Sequence, residues 1–167
     1  MAHDSRAIAN FLLDDADQKG LRLSNLVILK ILYFAHATHL LQSDKPLLKD
    51  DFEAWEHGPV IRVVYDNFKN WKDQPIRSRA NCINFDTGEN EPVTYTLDIE
   101  EREFLRKMLD TYVRIPAFVL SEMTHEPGGP WDYVWNQPDG KTHLGMVITD
   151  SIIKEKFIPR TDRHRPV

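Results

Sequence analysis

The sequence predicts a mainly α-helical (α+β) fold, a compact multi-helix domain around one buried central helix with a small irregular antiparallel β element. Three observations carry this. Residues 24–41 form the longest apolar segment, and at 3.6 residues per turn they leave no polar face. Leu26, Leu29, Tyr33, Ala37 and Leu40 run down one side, Val27, Ile31 and Phe34 down another, and Ile28, Leu32 and Ala35 lie behind; a helix apolar nearly all round is surrounded by protein. Most other apolar residues recur at helical spacing, while strict alternation is confined to short runs such as 52–57. The 167 residues, 41% hydrophobic and 28% charged, suit one ordinary domain. We expect it to span residues 1–159, with a frayed tail at 160–167.

In chain order, residues 4–19 place Ile8, Phe11, Leu12 and Ala16 on one helical face and Asn10, Asp14, Asp17 and Gln18 on the other, with Gly20 as a left-handed stop. Ser24 is the expected N-cap of the central helix. The run 52–57 reads as a short strand. Gly58 and Pro59 punctuate it, with Pro59 expected at the first position of a helix over 60–71. Val60, Val64, Phe68 and Trp71 would form that helix's inner face. Residues 72–92 are rich in Lys, Asp, Arg, Asn and Gly; Ile76, 83–85 and 93–97 are expected as short strands joining the Trp55 strand. Asp98 and Glu101 outline a capping box for a helix burying Phe104, Leu105, Met108, Leu109 and Tyr112. A helix starting near Pro116 carries Ala117, Phe118, Leu120 and Met123. Turns follow at 126–130 and 138–140, then a strand at 146–148 and a last helix at 151–157 behind Thr149 or Asp150.

The net charge of −5 argues against nonspecific nucleic-acid binding, which depends on Lys and Arg neutralising phosphates. A basic or neutral protein partner suits it better. Cys82, the one cysteine, makes no internal disulfide, and no charged-then-apolar leader precedes the first helix, so cytoplasm is the expected compartment. The central segment reads as too short, and too interrupted by Lys30, His36 and His39, to span a membrane.

Lys30 projects among Leu26, Tyr33, Phe34, Ala37 and Leu41, where an unpaired ammonium is costly and its pKa falls. It needs an exit or a partner, with Glu53, Glu56, Glu122 and Asp132 as the acids in view; the sharper reading makes it a recognition residue. His36 and His39 are three apart, with His57, His125 and His143 elsewhere. Zinc would need three or four converging ligands, and an i, i+3 pair without a second signature does not supply them, so no metal or other cofactor is expected. Cys82 lies in a polar linker without a histidine motif. His125 with Glu122 and Asp132 is a conceivable proton-transfer group, but a helix end accounts for it equally.

A small metal-dependent or histidine-based hydrolase using His36, His57 or His125 is therefore the second reading, in the absence of a phosphate loop, G-x-S-x-G or H-E-x-x-H. A transcription regulator is the third: helix, glycine, turn, helix is its outline, but the second helix shows Leu, Ile and Phe where base-reading side chains belong. Among Trp55, Tyr65, Trp71, Trp131, Tyr133 and Trp135, the candidate interface anchors, Trp71 and Trp135 are expected to be exposed.

Three blocks in order resemble a known family. They are Leu26 to Leu40 as L-x-x-x-K-x-L-Y-F-A-H-x-x-H-L, Phe52-x-Ala54-Trp55-x-x-Gly58-Pro59-Val60, and Leu120-Ser121-Glu122-Met123-Thr124-His125 followed by Pro130-Trp131. Together they are similar to the Panacea domain, the family of SocA-like antitoxins and phage-associated GepA-like proteins. The resemblance implies a non-enzymatic, mostly helical bacterial or phage protein, the antitoxin of a type II-like toxin–antitoxin pair. Its partner would be a cognate toxin encoded nearby, and some members act as adaptors to a protease. Lys30, Trp55, Gly58, Pro59, His125 and Trp131 fall on the family's recurrent positions, with Gly58, Pro59 and Trp131 expected as scaffold. Lys30, His36, His39, Trp55, His57, Trp71, Glu122, His125 and Trp135 are the expected partner-binding residues. The chain departs from the family at Ala37-Thr38, where Gly-Trp is more usual, and at His57, where an aromatic is common. No appended DNA-binding domain is visible, so autoregulation by this chain alone is not expected.

Overall fold

The computed structural model describes residues 1–136 and 146–159. The turn expected at 138–140, His143 and the tail 160–167 lie outside the described residues. Helix α1 (Ser5–Gln18) opens on Asp4, whose carboxylate accepts from the Arg6 amide. It closes on Gly20 (φ +67°), with the Leu21 amide reaching back to the Ala16 carbonyl at 2.8 Å. That positive φ lets the chain reverse at no steric cost.

Helix α2 (Asn25–Ser43) begins at Ser24, whose hydroxyl accepts from the Val27 amide. It is buried along most of its length. By length and mean hydropathy, 1.2, this helix would suffice to cross a membrane, which corrects the reading of the segment as too short. Enclosure by the other elements makes it a core helix. Tyr33 meets Phe52 edge-on at 5.4 Å and Phe34 stacks on Tyr112 at 4.6 Å, so its aromatic rings tie the sheet and a later helix to one centre.

Strands β1 (Phe52–Trp55) and β2 (Gly58–Val60) form a hairpin with Glu53 opposite Val60, Ala54 opposite Pro59 and Trp55 opposite Gly58. This corrects the helix expected to begin at Pro59. Proline is tolerated there because β2 is an edge strand, where its missing N–H breaks no ladder. The helix that follows, α3 (Arg62–Phe68), starts from Ile61 and runs into a 3-10 turn at Lys69–Trp71.

Among the described residues, strands β3 (Asn81–Ile83) and β4 (Asn90–Pro92) pair only with each other. The expected junction with the Trp55 strand does not form, because β1 already carries β2 on one side and β5 (Met146–Ile148) on the other. The hairpin is rooted instead on α1. Asn10, expected on that helix's polar face, is buried; its amide donates to the Ala80 and Val93 carbonyls at 3.0 and 2.9 Å, and its oxygen accepts from the Ala80 N–H at 2.7 Å.

Helix α4 (Ile99–Tyr112) has the full capping box of Asp98 and Glu101. Helix α5 (Ala117–Thr124) buries Leu120, Ser121 and Thr124, whereas Phe118 is 67% exposed. Helix α6 (Pro130–Trp135) places Pro130 at its first turn, and α7 (Asp150–Lys156) is capped by the Thr149 hydroxyl. The mainly α architecture with a small antiparallel sheet is as the sequence predicts.

Candidate functional site

The β1–β2 pairing leaves Glu56 and His57 as a two-residue turn, exposed to solvent, while Gly58, Pro59 and Val60 run buried over α2. Beneath the turn lies Lys30, fully buried, its Nζ donating to the Pro59 carbonyl at 2.9 Å. Burial pushes its pKa down to about 7. None of the four acids expected as partners pairs with it. A carbonyl dipole meets the ammonium where a carboxylate was anticipated, so the penalty of desolvation stays largely uncompensated.

Two further side chains hold the same strip of backbone. Ser121 Oγ donates to the His57 carbonyl at 2.5 Å, and Trp131 Nε1 donates to the Trp55 carbonyl at 2.7 Å. The carbonyls of residues 55, 57 and 59 are thus fixed in alternation by α6, α5 and α2. Thr124 Oγ1 donates to the Ser121 carbonyl at 2.6 Å and packs against Gly58. A Cβ at Gly58 would lie 2.5 Å from Thr124 Oγ1 and 2.9 Å from Lys30 Cε, and φ there is +112°. Only glycine fits this crossing.

Rings stack alongside. His125 lies 3.8 Å from Trp131 and Trp131 lies 5.4 Å from Trp135, each pair nearly parallel. His125 Nε2 is buried without a hydrogen-bond partner among the described residues. Burial, then the charges of Lys30 and His57, hold its pKa below the usual histidine value, with Glu122 opposing. Trp55 faces the other way. Its Nε1 donates to Glu53, the Arg62 guanidinium sits 5.2 Å over the ring, and Tyr65 meets it edge-on at 4.8 Å. With Leu26, Leu29 and His57 these rings line an open cavity of about 470 Å³.

The structure therefore brings together Lys30, Trp55, His57, Gly58, Pro59, His125, Trp131 and Trp135, with Glu122 exposed on α5 beside them. Three expected contact residues lie elsewhere. His36 is buried; its Nδ1 accepts from the Leu48 N–H at 3.2 Å, so Nε2 carries the proton and donates to Asp150 at 2.8 Å. His39 Nδ1 donates to the Lys45 carbonyl at 2.8 Å. Trp71 Nε1 donates to Ser78 Oγ at 2.8 Å.

Burial corrects the reading of Lys30 and His36 as partner contacts, since neither presents a surface. Trp71 and Trp135 are half-buried, where exposed rings were expected. The proton-transfer group of His125, Glu122 and Asp132 does not assemble: the Asp132 carboxylate accepts from the Gly128 amide and the Asn136 side chain, closing the turn into α6. Among the described residues, no group of three or more His, Cys, Asp or Glu is placed to hold a metal ion. Ser121 and Thr124 belong to the site although sequence reasoning did not single them out. The available signal is a short polar pair on the inner face of an otherwise apolar helix.

The junction lies within a stretch that matches a known family. A family model described as "Antitoxin SocA-like, Panacea domain" matches residues 28–132, which include Lys30, the β1–β2 turn, Ser121, His125 and Trp131. Antitoxin SocA of Caulobacter vibrioides (strain NA1000 / CB15N) is 38% identical over 154 residues, covering 92% of this chain and 82% of the relative. No solved structure matches. On the strength of the domain match and of a relative aligned over 92% of this chain, the chain belongs to the SocA-like antitoxin, Panacea domain family.

Proposed function

We propose that this protein is an antitoxin that neutralises a cognate toxin, encoded nearby, by direct protein–protein binding in the cytoplasm and without a chemical step of its own. The observation that carries the reading is the 38% identity to antitoxin SocA across 92% of the chain. The chemistry of the junction supports it. The groups most suited to catalysis hold the fold: Lys30 is tied to a backbone carbonyl and closed off from solvent, and Ser121 is committed to the His57 carbonyl. What the junction offers outward is a shaped surface, the Glu56–His57 turn with Trp55 on one flank and Glu122 and Trp135 on the other. Aromatic side chains left partly open to solvent are suited to anchoring a partner.

The test is co-expression with the product of the adjacent reading frame. Growth arrest by that product alone, relieved by this chain, together with a co-purifying complex, is the expected result. Following the toxin's level separates two routes, since direct inhibition leaves it constant and delivery to a protease lowers it. A neighbour that is harmless, or rescue by this chain without any complex or loss of toxin, would overturn the reading.

A further inference from the structure

We propose that the β3–β4 hairpin is a contact finger for the toxin, with Phe85 entering an apolar socket whose rim carries Lys or Arg. The proposal rests on the antitoxin reading above. At the tip Phe85 is 97% exposed, and Ile83 on the stem is 57% exposed. Isolated exposed apolar residues are ordinary. This one differs because the loop that presents it is fixed.

The Asn84 N–H donates to the Glu89 carbonyl at 2.8 Å and the Gly88 N–H returns to the Asn84 carbonyl at 2.7 Å. Asn84 Oδ1 accepts from the Asp86 amide at 2.9 Å, while its Nδ2 donates to Glu91 at 3.1 Å. The root is clamped as firmly. Asn10 holds Ala80 and Val93 from α1, and Asn67 Oδ1 on α3 accepts from the Asn81 amide at 3.0 Å. A phenyl ring held out on such a support loses little conformational freedom when it docks, so most of its burial appears as affinity.

Charge selects the occupant. From Ala80 to Glu101 there is no Lys or Arg, and the hairpin carries Asp86, Glu89 and Glu91 close to the phenyl ring in sequence. A phosphate backbone or an anionic bilayer is repelled by that rim. A second copy of a chain with net charge −5 is a poor match for the same reason. A protein surface with an apolar pocket and a basic border is complementary.

The experiment titrates the product of the adjacent reading frame, as an inactive variant, with the full chain in three forms: wild type, Phe85→Ala, and the double variant Asp86→Lys/Glu89→Lys. Phe85→Ala is expected to weaken Kd at least about tenfold with an unchanged Tm. The double variant should slow association and weaken its salt dependence. Tight wild-type binding that Phe85→Ala leaves within about twofold overturns the finger and leaves the antitoxin reading standing. Failure of the wild-type chain to bind the neighbour or rescue growth overturns both. Loss of a self-associated species on Phe85→Ala, with toxin binding intact, assigns the tip to copy–copy contact and also overturns it.

Discussion

The β1–β2 turn and the β3–β4 hairpin are both short antiparallel pieces hung on helices, yet they commit their polar groups in opposite ways. Under the first, the carbonyls of Trp55, His57 and Pro59 are gripped by Trp131, Ser121 and Lys30 from three separate helices. In the second, the bonds that shape the tip are local, between Asn84 and its neighbours, and Phe85 is left to solvent. The motif blocks that carry the family resemblance lie at the junction, whereas the hairpin sits in a stretch that reads as linker. A point where several elements converge is mostly buried. A surface that meets a partner is freer to lie elsewhere.

The contrast can be broken most directly at Gly58. Gly58→Ala combines a left-handed backbone with a Cβ 2.5 Å from Thr124 Oγ1, and we expect a loss of about 3 kcal/mol or more, or failure to fold. Urea denaturation reads this, and a stable, well-folded variant would mean the crossing is not tight. Next is Lys30. With its native pKa near 7 against 10.5 unfolded, the unfolded state holds more protons between those values. Stability attributable to Lys30 is therefore lowest below about pH 7 and rises up to about pH 10.5, with a slope of at most about 1.4 kcal/mol for each pH step of one. Lys30→Met should flatten the pH dependence of Tm across that window; parallel curves for wild type and variant would refute a depressed pKa.

Asn10→Ala removes the partner of the Ala80 N–H and of the Val93 carbonyl at the hairpin root, while the Ala80 carbonyl keeps the Val93 N–H. We expect a cost of about 1–3 kcal/mol, with faster hydrogen exchange concentrated at residues 80–93. Trp131→Phe keeps a ring against His125 but drops the bond to the Trp55 carbonyl, for about 1–2 kcal/mol by the same accounting. Phe85→Ala closes the series, with a stability change within about 0.5 kcal/mol because the ring touches little of the folded protein. A large loss there would show that the hairpin tip is structural and erase the contrast with the junction.

Much of the helical frame is legible from local chemistry. Ser24, Asp98 with Glu101, and Gly20 mark ends that the structure places where the sequence puts them, and of Thr149 and Asp150 it selects Thr149, because capping is settled within a few residues. The buried central helix is equally plain from a run with no polar face. The site is legible only in part. Lys30 stands out in the sequence as an anomaly, but the partners that suggest themselves are acids, and a backbone carbonyl has no letter of its own in a sequence. Asn10 has the pattern of a surface residue until the hairpin packs over it, and Pro59 has that of a helix start until β2 takes an edge position.

By itself, the sequence determined several helix ends, which helix lies at the centre, and to which family the chain belongs, since short-range hydrogen bonding and apolar periodicity are written residue by residue. Tertiary structure alone decided that β5 joins β1, that Lys30 closes on Pro59, that Trp131 bonds the Trp55 carbonyl, and that the β3–β4 hairpin roots on Asn10. Those outcomes depend on contacts between segments tens of residues apart, where competing partners differ by little in local preference and packing of the whole selects one.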